Sequence, residues 1–68
     1  MNEVMVLDGV EYKLPQWLDV GASFFVPSLD LKKTVNSVGE HYKHAKFSLH
    51  YAQWIEQGLL GVRFWREI

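Results

Sequence analysis

The sequence predicts an α+β fold of two layers: an antiparallel sheet in the order β-β-β-α-β-β, with one helix packed on one face. Three observations carry that prediction. Asp8-Gly9 separates two alternating apolar runs, Leu31, Val35, Val38 and Tyr42 recur at helical spacing, and two longer alternating runs close the chain. Residues 1–15 read as an N-terminal hairpin and residues 16–68 as a β-α-β-β unit, together one small domain.

Val4 to Leu7 and Val10 to Leu14 form the arms of the first hairpin. Asp-Gly suits the type I′ turn, which needs positive φ at both central positions. Pairing Leu7 with Val10 puts Met5, Leu7, Val10, Tyr12 and Leu14 on one face and Val4, Val6, Glu11 and Lys13 on the other. Pro15 has no N–H to donate and ends the pairing. Trp17-Leu18 leads through a turn-like Asp19 to Ala22 into a short apolar strand, Ser23 to Val26, stopped by Pro27.

Ser28 is a good N-cap and Asp30 suits the first turn, so a helix is expected from about Leu29 to His44. Gly39 weakens its interior by about 1 kcal/mol relative to Ala. It signals either a close backbone approach or an early helix end. Phe47 to Ile55 and Leu60 to Glu67 then alternate as strands, with Glu56 to Leu59 as the connecting loop. Pairing Ile55 with Leu60 puts Phe47, Leu49, Tyr51, Ile55, Leu60, Val62 and Phe64 on the core face. The same register sets His50 opposite Trp65, Ala52 opposite Arg63 and Trp54 over Gly61, an arrangement that stabilises sheets.

Size and composition bound the functional classes. Sixty-eight residues with 49% apolar content, three Trp, three Tyr and four Phe form a folded chain rather than a disordered one. So short a chain buries only about 60% of its unfolded surface, and it has no cysteine to staple it. Homodimerisation is one of the few remedies left. No apolar run approaches the length of a membrane span, and Met1-Asn2-Glu3 lacks the basic start of a signal peptide. A cytoplasmic protein without a membrane partner is expected.

Charge divides the chain. Residues 1–30 carry Lys13 against Glu3, Asp8, Glu11, Asp19 and Asp30, a net −4. Residues 31–68 carry Lys32, Lys33, Lys43, Lys46, Arg63 and Arg66 against Glu40, Glu56 and Glu67, a net +3. An acidic half joined to a basic, aromatic half marks either a polyanion-binding face or two halves that attract each other.

Two surfaces stand out. Lys32, Lys33, Asn36 and Lys43 on the helix, with Arg63 and Arg66 on the last strand, offer phosphate and base-edge contacts to nucleic acid. His50, Trp54, Arg63 and Trp65 share the outer side of the final hairpin, where Trp and Arg are typical of protein interfaces and of single-strand stacking platforms. So much apolar surface needs a cover, which the N-terminal hairpin or a second protein would supply. His41-x-x-His44 beside Glu40 does not have the spacing of a closed zinc site, and no Cys completes it. No metal or cofactor is expected. The serines lack a His-and-acid context and the glycines are scattered, so no catalytic residues are expected and the chain reads as non-enzymatic.

Val20-Gly21-Ala22-Ser23-Phe24-Phe25-Val26-Pro27 resembles a phrase, V-G-acidic-S-F-F-V-P, of small tailed-bacteriophage proteins. In those a short helix follows, then a Lys-Phe strand start and a Gly-Val-Arg-aromatic-Trp-Arg ending. Lys46-Phe47 and Gly61-Val62-Arg63-Phe64-Trp65-Arg66 match that outline, so the resemblance spans residues 18–67. It implies a phage accessory protein in the cytoplasm of an infected bacterium, one that binds and modulates a host or phage protein. The family's basic helix and strands imply nucleic-acid contact as the alternative. Ala22 replaces the usual acidic residue, and the acidic N-terminal hairpin counts against simple DNA binding.

Overall fold

A computed structural model describes residues 2–68. The elements are β1 (Asn2–Leu7), β2 (Val10–Pro15), β3 (Ser23–Pro27), α1 (Leu31–His41), β4 (Leu49–Glu56) and β5 (Leu59–Arg66), the predicted α+β order. The strands form two antiparallel sheets, β1-β2 and β3-β5-β4.

Asp8 and Gly9 both have positive φ, 53° and 77°, as the turn between Leu7 and Val10 requires. The Ile55–Leu60 register also stands, but Glu56 and Leu59 pair as well, and the loop shrinks to Gln57-Gly58. Both residues again have positive φ, 51° and 78°, so this too is a tight hairpin turn.

The helix is shorter than its sequence pattern suggested. Asp30, not Ser28, is the N-cap: its carboxylate accepts a hydrogen bond from the Lys33 amide at 3.1 Å. Ser28 instead accepts from the Asp30 amide at 3.1 Å and from the Thr34 hydroxyl, which lets Thr34 be fully buried. Tyr42 closes the helix, so Lys43 and His44 lie beyond it. Gly39 neither ends the helix nor admits a neighbour, since nothing lies within 4 Å of where a Cβ would be. Phe47 precedes β4 rather than opening it.

The core holds Met5 and Leu14 from the hairpin, Val26 from β3, Val38 and Tyr42 from the helix region, and Val62 and Phe64 from β5. The hairpin therefore packs on the same side of the main sheet as the helix. Tyr42 OH donates to the Pro15 carbonyl and Lys33 Nζ pairs with Asp8, fastening helix to hairpin. Helix α1 packs against β1 and β5, and β2 against β3. A helix is about 10 Å across, roughly two strand spacings. The cover consequently reaches β3, β5 and the Leu49 end of β4 and leaves the rest of β4 open. Tyr51 and Ile55, expected in the core, are 56% and 69% exposed, and Val10 in the hairpin is exposed as well.

Candidate functional site

The far side of the three-stranded sheet is built by alternation. Antiparallel pairing sets Ser23, Trp65 and His50 in one row, Phe25, Arg63 and Ala52 in the next, and Pro27, Gly61 and Trp54 in a third. Each lies on the face opposite to Val26, Val62 and Phe64, which enter the core. The hairpin covers the inner side, so it does not cover Trp54 and Trp65. Trp54 is 42% exposed.

Arg63 is the centre of this face. Its Nη1 donates to Ser23 Oγ at 2.8 Å and its Nη2 to Glu56 Oε1. The guanidinium also lies 5.9 Å from the Phe25 ring centroid and 5.7 Å from that of Trp54, within cation–π range of both. Trp54 meets Trp65 edge-on at 5.6 Å, and His50 sits 5.2 Å from Trp65. His50 Nδ1 approaches Glu67 Oε2 at 3.5 Å on the rim. The face is thus a set of aromatic rings held around an internally neutralised ion pair, with polar groups at the edge.

Gly61 sets how closely these rings lie on the sheet. A Cβ at this position would sit 2.7 Å from the Phe25 ring and against the Val26 carbonyl oxygen. The ring over Gly61 is therefore that of Phe25, although Trp54 is its cross-strand partner as expected. Phe25, Ser23 and Glu56 were not among the residues that sequence reasoning assigned to this face. Ser23 to Val26 read only as a short apolar strand, and the face each of its residues takes follows from its pairing with β5, far along the chain.

The nucleic-acid candidates do not form one surface. Lys32, Lys33 and Asn36 lie on α1 and Lys43 just past its end, whereas Arg63 is on the sheet's outer face. Lys33 is paired with Asp8, whose carboxylate holds the ammonium above the usual lysine range. Lys43 pairs with Glu40 at 2.8 Å, which keeps the Glu40 carboxyl below the usual range. Arg66 is folded back on the chain. Its Nη1 donates to the Leu18 carbonyl at 2.9 Å, and its guanidinium lies 4.6 Å from the Trp17 ring and 5.1 Å from that of Phe47. This contact ties the 16–22 connection to the end of β5. Lys32 and Asn36 have no side-chain hydrogen bond or ion pair among the described residues.

His41 ends α1 with its ring edge-on to Tyr42 at 5.0 Å and its Nε2 buried without a partner. Among the described residues no three His, Cys, Asp or Glu side chains converge as a metal site would require. Among the described residues no helix is long and apolar enough to cross a membrane. No protein-family model, curated protein or solved structure matches the chain.

Proposed function

We propose that this chain is a non-enzymatic accessory protein that docks on another protein through the Phe25/Trp54/Arg63/Trp65 face and modulates it. One observation carries the reading: on the side of the sheet away from the core, aromatic rings gather around an arginine whose charge is balanced by Glu56, with Trp54 exposed and Phe25, Arg63 and Trp65 half-buried against one another. Protein interfaces favour this composition, aromatic and Arg anchors in the centre with a polar rim. The bacteriophage resemblance supports a host or phage protein as the target, met in the cytoplasm of an infected bacterium.

Nucleic-acid binding is the weaker reading. Affinity for nucleic acid comes largely from neutralising phosphates, and Lys33, Lys43, Arg63 and Arg66 are each engaged within the chain.

The test captures partners from host lysate on wild-type protein and on Trp54→Ala and Trp65→Ala variants. Circular dichroism and denaturation establish that each variant is folded. A specific partner lost by about tenfold or more in affinity with either folded variant supports the reading. Partners held equally by wild type and both variants would remove this face from the site. Salt-dependent binding of DNA or RNA, weakened by Lys32→Glu, would favour the alternative.

A further inference from the structure

We infer that β4 is a dimerisation strand: it pairs with β4 of a second copy of this chain, antiparallel across a two-fold axis at Gln53, to make one continuous sheet. It rests on the backbone edge and on both faces of β4; His50 and Trp54 are shared with the docking face, whereas Gln53 and Ile55, which the test alters, are not.

The hydrogen-bond pattern shows where the β4 backbone points. Ser28 N donates to the Leu60 carbonyl at 2.9 Å and Arg66 N to the Ala22 carbonyl at 3.1 Å, so the even-numbered residues of β5 bond toward β3. The alternate residues of β5 therefore bond toward β4, where their partners are His50, Ala52, Trp54 and Glu56. Leu49, Tyr51, Gln53 and Ile55 are left with N–H and C=O groups aimed outward, on a strand whose neighbour is β5 alone. Such an edge is a template for another strand, and monomers blunt it with lysine, proline, bulges or short length. β4 has none of these: its register with β5 runs unbroken from Leu49 to Glu56, without Lys or Pro. The opposite edge, β3, is shorter, ends in Pro27 and has β2 packed beside it.

The side chains fit a second copy in this register. On the outer face Ala52 stands opposite Trp54 of the other copy, small against large, and His50 opposite its Glu56, an imidazole against a carboxylate. On the inner face Tyr51 stands opposite Ile55 of the other copy, and the two Gln53 amides meet at the axis. No like charges oppose each other. Beside Tyr51 a groove of about 330 Å³ runs along α1, lined by Leu31, Lys32, Val35 and Asn36. The exposed Tyr51 and Ile55 of both copies would cover one another beside this groove. An isologous pair consumes the edge and closes.

The test is sedimentation equilibrium across a wide concentration range, with three variants. Wild type is expected to reach twice its 8.0 kDa. Gln53→Pro removes an outward N–H that β5 does not use, and raises the dimer dissociation constant by about tenfold or more. Ile55→Lys puts a charge on the same edge without touching the backbone, and does likewise. Because the chain has no cysteine, Gln53→Cys places one thiol per copy. Directly opposed, hydrogen-bonded positions have Cα atoms about 5.5 Å apart, within disulfide range. Mild oxidation is then expected to link Gln53→Cys rapidly and a Glu11→Cys control slowly. A wild-type monomer at all concentrations overturns the inference. So does a dimer that persists in folded Ile55→Lys and fails to cross-link at position 53, which would place the interface elsewhere.

Discussion

Gly61 and Phe25 show how one residue sets the character of a surface. Adding a Cβ at Gly61 brings it onto the Phe25 ring and the Val26 carbonyl, and the carbonyl belongs to the β3 backbone and cannot swing aside. Gly61→Ala is therefore expected to destabilise the fold by about 2 kcal/mol through overpacking. Urea denaturation measures it. Phe25→Ala in the same background should recover part of that loss, because the two changes share one contact. The cross-strand pairs His50–Trp65, Ala52–Arg63 and Trp54–Gly61 were legible from the last hairpin, since a short turn sets the register locally. The contact between Phe25 and Gly61 was not, because it depends on β3 pairing with a strand far along the chain. The role of Arg66 was hidden for the same reason. Its partners Trp17, Leu18 and Phe47 come from two separate connections.

At the scale of the element, α1 is joined to the hairpin through Tyr42. Burial, and then the negative charge of Glu3, push the Tyr42 phenol up from 10.0 to about 12. The folded state thus holds this proton after the unfolded chain has lost it. The resulting stability is fully present below pH 10 and is lost as pH rises through about 12. Denaturation followed from neutral to alkaline pH should show a falling limb in that window. Tyr42→Phe should flatten that limb, and at neutral pH it should cost about 1 kcal/mol for the hydrogen bond to Pro15. The helix itself was readable from Leu31, Val35, Val38 and Tyr42, but its start was displaced. Ser28 and Asp30 both suit an N-cap, and the burial of Thr34 against the Ser28 hydroxyl decides between them.

At the scale of the whole molecule, the acidic and basic halves meet less than their charges suggest. Among the described residues Lys33–Asp8 is the ion pair that joins them, while Lys43–Glu40, His50–Glu67 and Arg63–Glu56 form within the second half. What binds the halves is the shared apolar core of Met5, Leu14, Val38, Tyr42, Val62 and Phe64. That core leaves Tyr51 and Ile55 of β4 exposed, and the proposed pairing of copies through β4 would link folding to association. The thermal midpoint is expected to rise with protein concentration, which scanning calorimetry at several concentrations would read directly. The Ile55→Lys variant should show a midpoint independent of concentration.

Alternation and turn chemistry over a few residues were enough to read from the sequence the element order, the Asp8-Gly9 turn, the register of both hairpins and the shared face of Trp54, Arg63 and Trp65, whereas the tight Gln57-Gly58 turn was missed because a four-residue loop gives the same register. The tertiary structure decided the rest. It decided that β3 lies beside β5, that the N-terminal hairpin forms its own sheet on the helix side, and that Tyr51 and Ile55 stay outside the core. Those outcomes depend on how far one helix and one hairpin can reach across a sheet. That is a matter of widths and volumes in three dimensions, which no local pattern in the chain encodes.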